Sequence, residues 1–424
     1  MPGALPWALL PDTAAVGADG WVEIGGCSTQ DLVAAHGTPL FVYDEEHLRA
    51  RCREAVAAFP AGVAYATKAF LCRAMARLAH EEGMDLDVAT GGELHVAIAA
   101  GVPAERLVLH GNNKSGAELA TALALGVGRI VVDSNDELDR IERLVAAGAP
   151  KPTVLLRITP GVEAHTHEFV RTGQIDSKFG FGVIEGIADR ALARAADNPH
   201  VDLAGIHVHI GSQVFVADFF HQAIEVLAPF VNRFGLPELV IGGGLGVAYV
   251  EGEEAPTIGE WATSVHEACA VAGITARIGA EPGRSIVAGA AVTLYTAGTV
   301  KALPGLRTYV AVDGGMSDNP RPVLYGSGYE VFLPRAATAA RPRTVTLVGK
   351  HCESGDLLVR DAAVPDDLAV GDIVATPVTG AYGHSMGSNY NKVLRPPVVF
   401  CRDGDARLVV RRETEADLLA TDVG

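Results

Sequence analysis

Lys68 closes the apolar run GVAYATK, and a lysine drawn out of solvent by such a run is suited to forming an imine, because desolvation favours its free amine. Two more features indicate which carbonyl it would meet. IGGGLG at 241–246 offers bare backbone N–H groups to a phosphate, and EPGR at 281–284 adds a carboxylate, Glu281, and an anion-binding guanidinium, Arg284. Alone, a lysine is more often a surface side chain, and a triple-glycine turn says little. Together they describe pyridoxal phosphate: imine to Lys68, phosphate on Gly243, Gly244 and Arg284, ring nitrogen on Glu281. A carboxylate at that nitrogen keeps it protonated and makes the cofactor a strong electron sink for the carbanion left when CO2 departs. His209 of HVHIGSQ is expected to stack on the ring, with Ser212 nearby. His207 is expected to face away from His209 and serve structure, so no metal site is expected here.

Such residues need a scaffold that aims them at one place. From about residue 60, eight β-rich runs alternate with helical segments rich in Ala, Leu and Glu: GVAYATK, MDLDVAT, RLVLHG, RIVVDS, TVLLRIT, AGIHVHIGS, ELVIGGG and ARIGAEPG. Alternation of this kind predicts a parallel sheet with crossover helices, and eight units in series predict an α/β fold of the (β/α)8 barrel type. Lys68, Thr90, His110, Asp133, Arg157, His209, Gly242 to Gly244 and Glu281 each close one of the runs. All are therefore expected at the carboxyl-terminal rim, the active-site face of barrel enzymes. TPGVEAHTHEFVRTGQIDSKFGFGV, after the fifth run, is too long for an ordinary connection and falls on the same face. Beyond residue 290 the texture changes to β-branched runs without helices between them, AVTLYTAGTV, RTYVAVDGG, RTVTLVG, DIVATPVTGAY, PPVVFCRDGD and ARLVVRRET, which predict an all-β domain. The expected organisation is an N-terminal segment over 1–40 joining that β-domain, a barrel over 41–290, and the β-domain over 291–424.

Bulk properties narrow the partners. The 424 residues exceed what one core usually supports, and 49% hydrophobic content is enough for two. The net charge of −17 is spread along the chain without a Lys/Arg block, which speaks against nucleic acid and anionic membranes. Cys27, Cys52, Cys72, Cys269, Cys352 and Cys401 form no C-x-x-C pair, as expected of a reducing cytoplasm rather than a secreted disulfide scaffold. MPGALPWALLPDTAAVGADG lacks a basic start and is broken by prolines, so neither signal peptide nor anchor is expected.

With these features in place, the chain closely resembles the bacterial diaminopimelate decarboxylases, fold type III pyridoxal-phosphate enzymes related to ornithine decarboxylase and alanine racemase. The resemblance runs through nearly the whole chain on YATKAF, DVATGGEL, HGNNKS, RITPGVEAHTHEF, SKFGFG, IHVHIGSQ, GGGLG, EPGRS, VDGGMSDNPRP, CESGD, GAYGHSMGSNYN and VRRET, with an actinobacterial flavour in HGNNKS and YATKAF. It implies decarboxylation of meso-2,6-diaminopimelate to L-lysine by a homodimer whose sites lie between the barrel of one subunit and the β-domain of the other. Carried onto matching positions, it implies that Lys68 anchors the cofactor, His209 stacks on it, and Gly244, Glu281, Gly283 and Arg284 bind it, with Tyr382 on the phosphate side. Cys352 would act as proton donor from the partner subunit, and Glu353 would meet the distal amino group. Arg321 and Tyr325 would hold a substrate carboxylate, with Arg284 helping. A distal zwitterion calls for both a cation and an anion, and Arg321 with Glu353 supplies them.

Rival readings are separable. A racemase would carry a weaker partner than Glu281 at the ring nitrogen, and a single-barrel cofactor carrier would need neither CESGD nor GAYG. A catalytically silent relative would not keep both Lys68 and Cys352. One alternative stays open on departures from the family pattern at Gly328, Glu330, His384 and Gly387: a related fold type III decarboxylase acting on a modified or different amino acid in specialised metabolism.

Overall fold

The computed structural model describes residues 7–162, 176–215 and 218–424. The chain divides into two compact units, one formed by Arg51–Val247 with Ala255–Ser285, the other by Met1–Ala50, Ala248–Glu254 and Ile286–Gly424.

The first unit is a parallel barrel. Its strands are β1 (Ala64–Ala66), β2 (Asp85–Val88), β3 (Leu107–Leu109), β4 (Arg129–Val132), β5 (Thr153–Thr159), β6 (Asp202–Val208), β7 (Glu238–Gly242) and β8 (Arg277–Glu281). Each is hydrogen-bonded to the next in chain order, and a parallel bridge between Val63 and Ala280 closes the ring. The eight runs read from the sequence are these eight strands. Helices return the chain between them, and their starts carry the side-chain caps that free N–H groups require: Ser115 with Glu118 and Thr257 with Glu260 form reciprocal capping boxes. Inside the barrel, Ala64, Val108, Val131, Leu155 and Ala204 pack together.

Two expectations change here. Lys68 does not sit in a strand: β1 stops at Ala66 and the lysine rides on the tight 3-10 turn Thr67–Ala69 that follows, with an exposed side chain. The strand thus ends two residues before the lysine, which the turn carries beyond the sheet's hydrogen bonding. Thr90 is exposed and caps the helix Gly91–Ala99, its hydroxyl accepting from the Glu93 N–H at 3.2 Å, so its oxygen serves the helix rather than chemistry. Of the long segment after β5, residues 163–175, with most of the RITPGVEAHTHEF motif, lie outside the described residues.

The second unit is built around an eight-stranded sheet. Its spine is the 13-residue strand Ala291–Leu303, which pairs antiparallel with Leu40–Asp44, Ile373–Pro377 and Arg307–Val312 along different parts of its length. Leu40–Asp44 is buried throughout and also pairs in parallel with Val398–Arg402. Val22, Ile24, Leu40, Val42, Val292, Leu294, Phe332 and Val399 form the unit's core. Because the strand Leu40–Asp44 lies within this sheet, residues 41–50 group with it. All six cysteines are free thiols, with Cys352 exposed and the others buried. Among the described residues, no helix is long and apolar enough to cross a membrane.

Candidate active site

At the carboxyl-terminal rim of the barrel, Glu281 ends β8 and is buried. Its Oε1 accepts from Nε2 of His110, just beyond β3, at 2.9 Å, and its Oε2 accepts from Nε2 of His207, on β6, at 2.8 Å. Burial opposes the charge on Glu281, but the two imidazoles and their hydrogen bonds outweigh it and hold the carboxyl well below the usual range. His110 shifts the other way: burial pulls it down, and Asp87 and Glu281 more than offset that, so the ring is charged more readily than usual. Asp87, buried on β2 with its Oδ1 3.7 Å from His110 Nε2, is pushed up to about 6 by burial.

His207 is the clear correction to the sequence reading. Burial lowers it to about 4, so it is a neutral donor through Nε2, and the pull of Glu281 fails to offset that. It faces the barrel interior, and so does its neighbour: His209 Nδ1 would lie 2.7 Å from a Cβ on Gly242, and the charges acting on His209 include Lys68, Arg157 and Glu281. Side chains two apart on extended backbone share a face, so the expectation that the pair diverges was at odds with strand geometry. Two histidine nitrogens and a carboxylate oxygen within 4.8 Å of one another could also grip a metal ion. The same atoms lie at hydrogen-bond distance, each Nε2 against one oxygen of Glu281.

Beside Glu281 lies a cradle that only glycine can form. A Cβ on Gly243 would fall 2.3 Å from the Glu281 carbonyl oxygen, and one on Gly244, whose φ is +104°, would fall 2.2 Å from that of Gly211. Gly283 is closed off in the same way by Ala66, at 2.9 Å. Gln213 pins the turn from outside, its Oε1 accepting from the Val247 N–H at 3.1 Å and its Nε2 donating to the Val247 carbonyl at 3.2 Å. Buried Arg284 donates through Nη2 to Ser212 Oγ at 2.8 Å. The barrel thus gathers Lys68, His209, Ser212, Gly243, Gly244, Glu281, Gly283 and Arg284 on one rim. Around them, Asp133 Oδ1 accepts from the Gly180 N–H at 2.6 Å, Arg157 stacks 4.3 Å over Phe179, and a buried Lys114–Glu137 pair at 2.7 Å ties the ends of β3 and β4.

Arg321, Tyr325, Cys352, Glu353 and Tyr382 belong to the sheet unit. Arg321 opens the helix Arg321–Tyr325, is buried, lies 4.0 Å over the ring of Tyr249 and donates to the Tyr329 hydroxyl at 2.5 Å. Tyr325, at the other end of that helix, is half-buried, as is Tyr382, whose backbone is left-handed at φ 62°. Cys352 and Glu353 stand exposed on one loop. The four departures have local work in the same unit. Glu330 accepts from the Glu251 N–H at 3.2 Å and pairs with Arg341 at 3.6 Å, and His384 packs edge-on against Phe41. A Cβ on Gly328 would press within 2.9 Å of Val250, and one on Gly387 would meet the carbonyls of His384 and Ser317.

Sequence reasoning passed over Asp87, Gln213, Tyr249 and Tyr329. Asp87 carried a usable signal, an acidic residue inside the apolar run MDLDVAT one strand away from His110. Tyr249 carried none, since it meets the distant Arg321 only through the fold, whereas Tyr329 lies just eight residues beyond that arginine.

Residues 45–288 match the family model for the pyridoxal-binding domain of pyridoxal-dependent decarboxylases. The diaminopimelate decarboxylase of Mycobacterium tuberculosis is 48% identical, with 95% of each chain covered, and that of Bacillus subtilis is 46% identical at the same coverage. Among solved structures, the M. jannaschii diaminopimelate decarboxylase in complex with L-lysine is 32% identical, with a TM-score of 0.90 and 98% of both chains covered.

Proposed function

This chain belongs to the diaminopimelate decarboxylases within the pyridoxal-dependent decarboxylases, and on that premise we propose that its rim residues carry the conversion of meso-2,6-diaminopimelate to L-lysine and CO2, a reaction of lysine biosynthesis. The observation that carries the reading is Glu281, a buried carboxylate kept ionised by two imidazoles beside a glycine cradle and on the same rim as Lys68.

The residues fit pyridoxal phosphate. A cradle that any Cβ at 243 or 244 would fill leaves backbone N–H groups for a phosphate, with Arg284 and Ser212 beside it. Lys68 is the amine that would attach the cofactor, His209 would lie against its ring, and Glu281 would face the ring nitrogen. Bound there, pyridoxal phosphate supplies an electron sink for the charge left on carbon as CO2 departs.

The chain's own groups do the rest. Glu281 stays anionic and presents an acceptor to a protonated nitrogen, while neutral His207 steadies it without adding charge. Arg321, held flat by Tyr249 and Tyr329, offers a rigid fork to a carboxylate, with Tyr325 assisting. Glu353 answers the distal ammonium. Cys352 delivers the proton that replaces the lost carboxylate, and two copies of the chain form the working enzyme, Cys352 and Glu353 serving the partner's site. The assay is direct: protein purified with pyridoxal phosphate and given meso-diaminopimelate releases CO2 and lysine in equal amounts. Consumption of ornithine or another amino acid without lysine from diaminopimelate would overturn the substrate assignment.

A further inference from the structure

We propose that Asn391 is a positioning residue for Cys352. The inference rests on the reading of Cys352 as the proton donor and extends it.

Cys352 and Glu353 stand exposed on a short loop between two buried residues, His351 and Asp356. A proton donor on an exposed loop is useful only if the loop is held, since small displacements of a reacting group cost rate steeply. The ends of the loop are anchored by Asp356. Its Oδ1 accepts from the Met316 N–H at 2.7 Å, and its Oδ2 accepts from the backbone N–H of His351 at 3.0 Å and from the ring Nδ1 at 2.8 Å. That carboxylate fills a space no other side chain could share: a Cβ on Gly349 or Gly315 would lie 2.1 or 2.6 Å from Asp356 Oδ2. Within the loop, the Glu353 N–H donates to the His351 carbonyl at 2.8 Å and the Asp356 N–H to the Glu353 carbonyl at 3.1 Å.

These bonds fix both ends of the loop but leave the amide of Cys352 itself, and that amide donates to Asn391 Oδ1 at 3.1 Å. Asn391 is exposed and sits in the left-handed region at φ 51°, a conformation asparagine tolerates better than most residues. Its neighbour Tyr390 stacks on the His351 ring at 5.7 Å and 15°. Consecutive residues of one segment thus grip the loop twice, Tyr390 at the histidine ring and Asn391 at the cysteine amide.

Asn391→Gly in the cofactor-loaded enzyme keeps the left-handed backbone and removes the acceptor. We expect kcat to fall about five- to tenfold, the rate equivalent of one lost hydrogen bond, with KM unchanged within about twofold. The solvent deuterium isotope effect on kcat should rise, because proton delivery becomes slower, while cofactor absorbance and melting temperature stay at the wild-type values. Asn391→Asp keeps an acceptor oxygen and should restore most of the rate. A general structural role would lower the active fraction without raising the isotope effect, and that result, or wild-type kcat in Asn391→Gly, overturns the proposal. Cys352→Ser run in parallel separates the two ideas. If it leaves kcat and isotope effect unchanged, the proton-donor reading falls and the positioning role with it; if it changes them while Asn391→Gly does not, only the positioning role falls.

Discussion

His207 Nε2 lies 2.8 Å from Oε2 of Glu281, with both side chains buried in the barrel mouth. Since His110 occupies the other oxygen, the carboxylate is oriented from two sides before any ligand arrives. Glu281→Gln removes the charge and turns one of its acceptors into a donor facing a donor. The expected loss in kcat is about a hundredfold, the scale of one charge-assisted hydrogen bond. Steady-state kinetics on cofactor-saturated protein measure it, and a loss below about threefold would deny Glu281 its role.

Lys68→Ala should abolish the visible absorbance of the holoenzyme and lower kcat by about a thousandfold or more, as removal of a covalent catalytic group does. Exposure of Lys68 makes this a clean substitution, since little packing is lost with the side chain. A coloured, active variant would place the attachment elsewhere.

Gly244→Ala must either move the Gly211 carbonyl, 2.2 Å from the new methyl, or abandon a φ of +104°. Roughly 1–3 kcal/mol of strain is expected, together with weaker pyridoxal phosphate binding. Titrating the apoprotein with cofactor while following absorbance reads the second effect; unchanged affinity would remove the phosphate from this cradle.

Arg321→Lys keeps the charge but cannot present a planar fork, and Tyr329→Phe deletes the hydroxyl that Arg321 Nη1 meets at 2.5 Å. Both should raise KM for diaminopimelate, by about tenfold or more for the lysine and less for the phenylalanine. Equal KM in all three proteins would take the substrate carboxylate away from Arg321.

His384 is held down to about 4 by burial, with Arg395 adding to the effect. In the unfolded chain the ring takes up its proton near ~6.5, so between the two values the unfolded state binds more protons and stability is lost as pH falls through that window, by up to roughly 3 kcal/mol. His384→Phe can keep the edge-on contact with Phe41 and should lose that part of the acid sensitivity. Denaturant unfolding at pH 7 and pH 5 compares them; identical pH dependence would contradict a neutral imidazole at this half-buried position.

What the sequence disclosed followed physical range. The eight barrel strands were legible because each is a short apolar run bounded by helix caps and turns, and the rim residues because they close those runs. Lys68 and Thr90 were misplaced by one turn, since a run of letters does not show where hydrogen bonding to the neighbouring strand stops. His207 was misjudged although its position two residues from His209 contained the answer. Arg321 was found from its motif, but its contact with Tyr249 was not, because an aromatic contact between distant segments leaves no spacing to read.

The strand Leu40–Asp44, wedged between Ala291–Leu303 and Val398–Arg402, also bears on how the chain is made. Ribosomes deliver the amino-terminal end first, so LFVYD emerges with the entire barrel still to be synthesised before either neighbour exists. Until the carboxyl-terminal strands arrive, an apolar ribbon with two unsatisfied edges must be shielded, and a transcript truncated before Val398 would leave one edge open for good. Nascent chains stalled short of that point should accordingly be prone to edge-to-edge aggregation even where the barrel has already formed.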